Sequence, residues 1–215
     1  MKTSLKFILV VILSSIFVTS CSRKKDRFIS RNYHAVTAEY NALYNGYLAL
    51  EEGRQSLNDA YSDNYWDILP IERMQIIDEI ILPGQSKNEN FNRAEEKAVK
   101  AIQMHSMNIQ GKEENPQMDE AYLLLGKARY FDQRFIPALE AFNYILYKYP
   151  ASDKINQAKI WREKTNIRLD NDELAIKNLK RLLEREELSN QDLADATAML
   201  AQANQMPNVI LSLLK

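Results

Sequence analysis

Tyr33, Val36, Tyr40, Leu43, Tyr44, Tyr47 and Leu50 recur three or four residues apart, the spacing that lines one face of a helix. Ser30 or Asn32 would cap its start, and Gly53 is its expected stop. The pattern predicts a buried stripe that keeps tyrosine hydroxyls at its wet edge. Leu57, Ala60 and Tyr61 then predict a shorter helix folded back on the first. Over residues 62–90 the pattern loosens. Asn64-Tyr65-Trp66 reads as a turn carrying a buried aromatic, and Pro70 opens a short helix with Ile76, Ile77 and Ile80 that Pro83-Gly84 ends. A polar loop, GQSKNEN, follows. Phe91, Ala94, Ala98, Ile102 and His105 restore a helical face that is expected to stop near Gly111, and Asn115-Pro116 is another break.

The most regular stretch, DEAYLLLGKARYFDQRFIPALEAFNYILYKYP, covers residues 119–150. Small Gly126 and Ala138 are expected where two antiparallel helices approach closely, with Tyr122, Leu125 and Phe142 filling the space between them. Pro150 ends the second helix, and Pro137 sits in its first turn, where a missing N–H costs little. Together with Phe135, these residues resemble the tetratricopeptide (TPR) repeat, a unit of about 34 residues. Arg129 departs from that pattern, standing where an aromatic is usual, with Tyr130 beside it. The unit recurs. Ala175 and Leu179 repeat Ala138 and Phe142 after a helix carrying Ala158, Trp161, Thr165 and Arg168. Val209 and Leu213 repeat them again after Leu193, Ala196, Leu200 and Ala203. Helical pairs of this kind bury their apolar faces by stacking on neighbours. The expected fold is therefore all-α, a TPR-like solenoid of helical hairpins. In TPRs generally, the first helix lines a groove, here through Glu120, Leu123, Lys127, Tyr130 and Phe131; a packing role and a partner-binding role both fit them. The chain stops at PNVILSLLK, so the third repeat is expected to be incomplete, with Val209, Ile210, Leu211, Leu213 and Leu214 in need of a cover.

Composition supports helices, with only five glycines and six prolines among 215 residues. Lys+Arg is 28 and Asp+Glu is 29, a net charge of -1 with both signs interspersed, which gives no basic field for nucleic acid. At the N-terminus, Lys2 and Lys6 precede an apolar run from Phe7 to Val18, too short to favour a spanning helix of ~20 residues. The run ends in Val18-Thr19-Ser20-Cys21, which resembles a lipobox, the site at which a lipoprotein signal is cleaved and its cysteine acylated. Cys21 is the only cysteine, which fits a lipid attachment point and excludes an intrachain disulfide. More than one acyl chain on Cys21 would suffice for stable anchoring. The expected organisation is a cleaved signal peptide (1–20), a lipidated tether (21–29), an N-terminal helical region (30–115) and TPR-like repeats (116–215).

Candidate chemistry is sparse. The histidines are His34 and His105, and with one lipidated cysteine they assemble no zinc ligand set. No phosphate-cradling or dinucleotide-binding glycine motif occurs. His105 reads as a core or edge histidine, Trp66 and Trp161 as packing residues, and Glu95-Glu96 and Glu113-Glu114 as solvated faces rather than a glycosidase pair. The sequence predicts no enzyme, no cofactor, no metal and no small-molecule substrate.

YNALYNGYLALEEG (40–53), NYWDILPIE (64–72), RAEEKAVKAIQMHSM (93–107), AYLLLGKARYFDQRFIPALEAF (121–142) and IWREKTNIRL (160–169) are together similar to the N-terminal part of one family. It is the TPR lipoprotein of Bacteroidota gliding motility and type IX secretion, the SprE/PorW type, whose members are longer and carry more repeats. The resemblance implies a lipid-anchored protein on the periplasmic face of the outer membrane. It would be a non-enzymatic scaffold that binds protein partners, joining the energised core of the protein-secretion machine to its outer-membrane translocon. Two other readings remain: a TPR lipoprotein of the outer-membrane β-barrel assembly machinery, and a SusD-like glycan-binding lipoprotein. The last needs a cluster of exposed aromatics, for which Tyr40, Tyr44, Tyr47 and Trp66 are the candidates.

Overall fold

The structure is a computed structural model that describes residues 22–24, 26–66, 69–74 and 88–213, with backbone alone for Arg185 and residues 206–213. Cys21, the leader, the short helix expected around Ile76 and the side chains of Val209, Ile210, Leu211, Leu213 and Leu214 lie outside the described residues. The chain is all-α. In order it forms α1 (Phe28–Thr37), a π-helical stretch (Ala38–Leu43), α2 (Tyr44–Ala60), α3 (Glu89–His105), α4 (Met118–Phe131), α5 (Phe135–Lys148), α6 (Ile155–Arg168), α7 (Asp172–Arg185) and α8 (Asn190–Leu213). A small hairpin, β1 (Asn108–Ile109) and β2 (Lys112–Glu113), links α3 to α4.

The first helix differs from expectation in both length and orientation. It runs as one rod from Phe28 to Ala60, without a stop at Gly53 and without a shorter helix folded back on it. Its buried face is Ser30, His34, Ala38, Ala42, Gly46 and Leu50, successive steps of four. On an ideal α-helix each step of four overshoots a full turn by about 40°. The row would spiral off its partner, and the extra residue of the π stretch takes up that drift. Tyr33, Val36, Tyr40 and Tyr44 consequently face solvent, while Leu43 and Leu50 are buried and Tyr47 is half-buried. Small residues win the inner face because they admit close approach. A Cβ on Gly53 would lie 2.5 Å from the Phe91 ring of α3, and one on Gly46 would lie 2.5 Å from Leu124 of α4. Gly53 is a contact, not a terminator. The expected turn at Asn64 forms, its Oδ1 accepting from the Trp66 N–H at 3.2 Å, but Trp66 is 96% exposed rather than buried.

α3 buries Phe91, Ala94 and Ala98 as its periodicity predicts. It ends at His105 rather than near Gly111, because residues 108–113 pair as a β-hairpin. Gln110 and Gly111 take φ of 51° and 84°, the left-handed pair that a two-residue hairpin turn requires. At the opposite side of α3, His105 Nδ1 lies 3.2 Å from His34 Nδ1 and ties α1 down. Burial, with His34, Arg23 and Lys100 nearby, lowers the His105 pKa.

The α4–α5 hairpin matches the sequence pattern closely. Gly126 lies directly under the Phe142 ring, where an added Cβ would collide with it, and Leu125, Ala138 and Phe142 are buried. Tyr122 stacks on Tyr144 at 4.2 Å, Pro137 lies in the first turn of α5, and Pro150 sits exposed just past its end. Gln133 reverses the chain at φ 60°, and Asp170 does the same between α6 and α7 at φ 59°. Arg129, the departure from the repeat pattern, spans instead to Glu95 of α3 at 2.7 Å, and Arg134 pairs with the same carboxylate. Burial works against that charge, but hydrogen bonds from Arg134 and Arg129 outweigh it and hold Glu95 below the usual carboxylate range. Glu95 and Glu113 are thus not solvated faces. Glu113 accepts from the Met107 N–H and the Ser106 hydroxyl, each at 2.6 Å.

In the next pair Ala158, Thr165, Ala175 and Leu179 are buried, and Glu163, also buried, joins α6 to α7 by accepting from Asn178 at 3.1 Å. No third hairpin forms: α8 continues as one helix from Asn190 to Leu213. Within it the Asn204 side-chain amide donates to the Leu200 carbonyl at 2.7 Å. One apolar cluster runs from Ala38 to Ala158 and a second from Ile160 to Ala203, so packing is continuous across residues 115 and 116.

Candidate functional site

Trp161, Lys164 and Arg168 recur at spacings of three and four, which puts them on one face of α6. Lys127 and Tyr130, three apart on α4, face them, and the first turns of α8 close the far wall. The cleft so formed has a volume of about 360 Å³. A stretch of the chain itself, residues 69–74, enters it with Glu72. The Glu72 carboxylate accepts from Lys164 Nζ at 2.6 Å and from the Tyr130 hydroxyl at 2.8 Å. Arg168 adds two contacts, donating to the Glu72 carbonyl at 3.3 Å and to the Tyr130 oxygen at 3.1 Å. Below these groups Lys164 Nζ lies 4.3 Å from the centre of the Trp161 ring.

Lys127 is held differently. Its ammonium lies between the rings of Trp161 and Tyr47, at 5.3 and 5.7 Å from their centres. Burial pushes its pKa down to about 8, with Lys164 and Arg54 adding to the shift and Glu120 and Asp195 opposing it. Burial and the Glu72 carboxylate raise the Tyr130 phenol, which therefore serves as a hydrogen-bond donor. Asp195 lies 3.9 Å from Lys164, and Asp192 is engaged by the Ser189 hydroxyl at 2.8 Å. The arrangement is a set of cations and donors converging on a carboxylate. That is the chemistry of recognition, since charge-assisted hydrogen bonds are the strong ones.

No known protein-family profile matches this chain, and no curated protein matches it in sequence. The site is therefore read from its own geometry. Of the five groove residues expected from the repeat pattern, Glu120 and Lys127 keep contact with solvent, whereas Leu123, Tyr130 and Phe131 are buried. Phe131 stacks on Phe91 of α3, and Tyr130 packs edge-on against Trp161 with ring centres 5.3 Å apart. The face of α4 expected to line a groove is covered by the chain's own α2, α3 and residues 69–74, which a repeat register cannot anticipate. Lys164 and Arg168 were missed because a polar row on a helix reads as a solvated face, and Glu72 because it lies in an irregular stretch that no periodicity marks. The signal was the placement of Trp161 among those cations on one face. Trp161 thus does more than pack. Of the candidate glycan-binding aromatics, Tyr40 and Tyr44 lie on the open face of the rod, Tyr47 turns in beneath Lys127, and Trp66 stands in a separate loop.

Proposed function

We propose that this protein is a non-enzymatic adaptor, a TPR-like stack of helical hairpins anchored through Cys21 on the periplasmic face of the outer membrane. In this reading the cleft between α4, α6 and α8 receives an acidic segment of a protein partner in type IX secretion and gliding motility. The observation that carries it is Glu72, an acidic side chain on an irregular stretch, seated between Lys164 and Tyr130. A site that holds such a stretch of its own chain has the donors to hold one from elsewhere. The lipobox-like VTSC and the segments similar to the SprE/PorW type supply the location and the machine.

The test is a crosslinked pull-down of the tagged full chain from its native envelope, beside a Lys164→Glu variant whose helicity is checked by circular dichroism. Components of the trans-envelope core or the translocon should be captured by the first and lost with the second. Capture that ignores the variant, or recovers barrel-assembly components instead, would overturn the reading.

A further inference from the structure

The rod of α1 and α2 turns small residues inward and leaves a row outward: Phe28, Ile29, Tyr33, Val36, Tyr40 and Tyr44, continued by Leu48. Tyr40 and Tyr44 are 63% and 60% exposed. Elsewhere Ile136, Leu174 and Leu193 stand singly, which is ordinary for a protein surface, and Tyr65, Trp66, Leu69 and Ile71 are exposed in the irregular segment after α2. A continuous row is not ordinary. At about 1.5 Å per residue it extends roughly 30 Å, and the π stretch keeps Tyr40, Tyr44 and Leu48 in line with Tyr33. Few charges interrupt it: from Phe28 to Leu50 the acidic and basic residues are Arg31 and Glu39, apart from the buried His34, and Glu51 and Glu52 follow its far end. Two of its polar neighbours are satisfied within the helix. Asn32 donates to the Phe28 carbonyl at 2.8 Å and Asn45 to the Asn41 carbonyl at 2.7 Å.

What covers this face follows from where the chain comes from. Cys21 lies seven residues ahead of Phe28, and seven extended residues reach at most about 25 Å. The intervening Ser-Arg-Lys-Lys-Asp-Arg carries four basic residues and one acid, a composition drawn to anionic headgroups. Tyrosine, with an apolar ring and a polar tip, is the side chain suited to headgroup depth. Among the described residues no helix is long and apolar enough to cross a membrane. We propose that the Tyr33–Tyr40–Tyr44 face lies along a lipid surface containing anionic headgroups, as a second membrane contact beside the N-terminal anchor. This rests on the reading of Cys21 as the lipid attachment point. A tether alone lets the helical stack tumble; the row fixes which side faces lipid.

The experiment uses the full chain reconstituted into vesicles of phosphatidylethanolamine and phosphatidylglycerol, with an environment-sensitive fluorophore on Tyr40→Cys or, as control, on Lys180→Cys of α7. Both positions are exposed, so neither change threatens the fold. Emission from position 40 should shift to the blue on reconstitution and be quenched by brominated lipid, while position 180 should do neither. Adding Tyr33→Ser and Tyr44→Ser should reverse the shift. A water-like signal from position 40 overturns the proposal, and so does protection that appears only when envelope proteins are added, which would assign the face to a protein partner. The mass of the N-terminal peptide reports acylation of Cys21 separately. An unmodified cysteine with position 40 in lipid would remove the anchor and leave the proposal standing.

Discussion

Two helix pairs, α2–α3 and α4–α5, are closed by the same device and differ in what lies behind them. In each, a mid-helix glycine sits under a fully buried phenylalanine ring, Gly53 under Phe91 and Gly126 under Phe142. The α4–α5 pair is packed from both sides, by α3 and by α6. The rod of α1 and α2 ends the stack: among the described residues no further helix packs on its far side, which carries the tyrosine row. In the middle of a stack nearly every apolar residue points at protein, so periodicity identifies the core. At the end of a stack a helix has two apolar faces and only one neighbour, and periodicity cannot say which face turns inward. Large tyrosines offer far more area to bury than small alanines and so dominate a reading by size, yet closeness of approach favours the alanines.

The largest expected effect breaks the better-enclosed pair. Gly126→Leu should lower stability by about 3 kcal/mol, the upper end for overpacking, read from the shift of the urea midpoint. The cost is high because Phe142 has neighbours on every side and cannot yield. Adding Phe142→Leu should recover part of the loss. A double variant as unstable as the single one would mean that the leucine collides with something other than that ring.

Gly53→Leu tests the other pair and should cost less, about 1–2 kcal/mol, because among the described residues no further helix packs behind α2 and it can move outward. A loss equal to that of Gly126→Leu would show that the end of the stack is as rigid as its middle.

The α4–α5 hairpin was legible almost residue by residue because its constraints are local. Gly126, Ala138, Phe142 and Pro150 each answer to the geometry of two adjacent helices, and their spacing survives in the sequence. The rod was legible as a helix but not in its rotation, which depends on a partner 40 or more residues away. The small residues Ser30, Ala38, Ala42 and Gly46, at steps of four with His34 among them, carried that information. They read as weak hydrophobicity unless close packing is considered. The cleft was least legible, because Glu72 meets Lys164 and Tyr130 only after a non-local fold has formed, and Arg129 appeared as a flaw in a repeat until Glu95 was placed beside it. The third hairpin failed for the opposite reason: Asn204, Pro207 and Asn208 are turn-forming residues, yet the backbone stays helical through all three.

Lys127 sits where the two regions touch, its ammonium against Tyr47 of the rod and Trp161 of α6. Its folded-state pKa, about 8, lies below the ordinary lysine value of 10.5. Between those values the unfolded chain binds more protons, so the stability of the native protein should rise as pH climbs from 8 to 10.5. Below about 8 the penalty of the buried charge is fully present. Lys127→Met should therefore stabilise the protein by ~1 kcal/mol near neutral pH, in line with apolar replacement of buried charge. The advantage should shrink in urea titrations at alkaline pH. It should also weaken capture of an acidic partner, the usual exchange of function for stability at a site. A gain that is the same at both pH values would locate the effect in packing instead of charge.

The smallest expected effect decides the rotation of the rod. If Tyr40 and Tyr44 formed the inner face, as hydrophobic spacing alone predicts, replacing either with serine would remove a core aromatic and cost several kcal/mol, about 3–5 for full truncation of such a ring. In the fold described above both rings stand in solvent and the contacts with α3 are made by Ala38, Ala42 and Gly46. Tyr40→Ser and Tyr44→Ser should each change stability by less than ~0.5 kcal/mol, the ordinary range for surface positions. The same two substitutions should still abolish the lipid contact proposed for that face. A residue that matters to the membrane and not to the fold cannot belong to the core, so the pair of measurements separates the two faces of one helix.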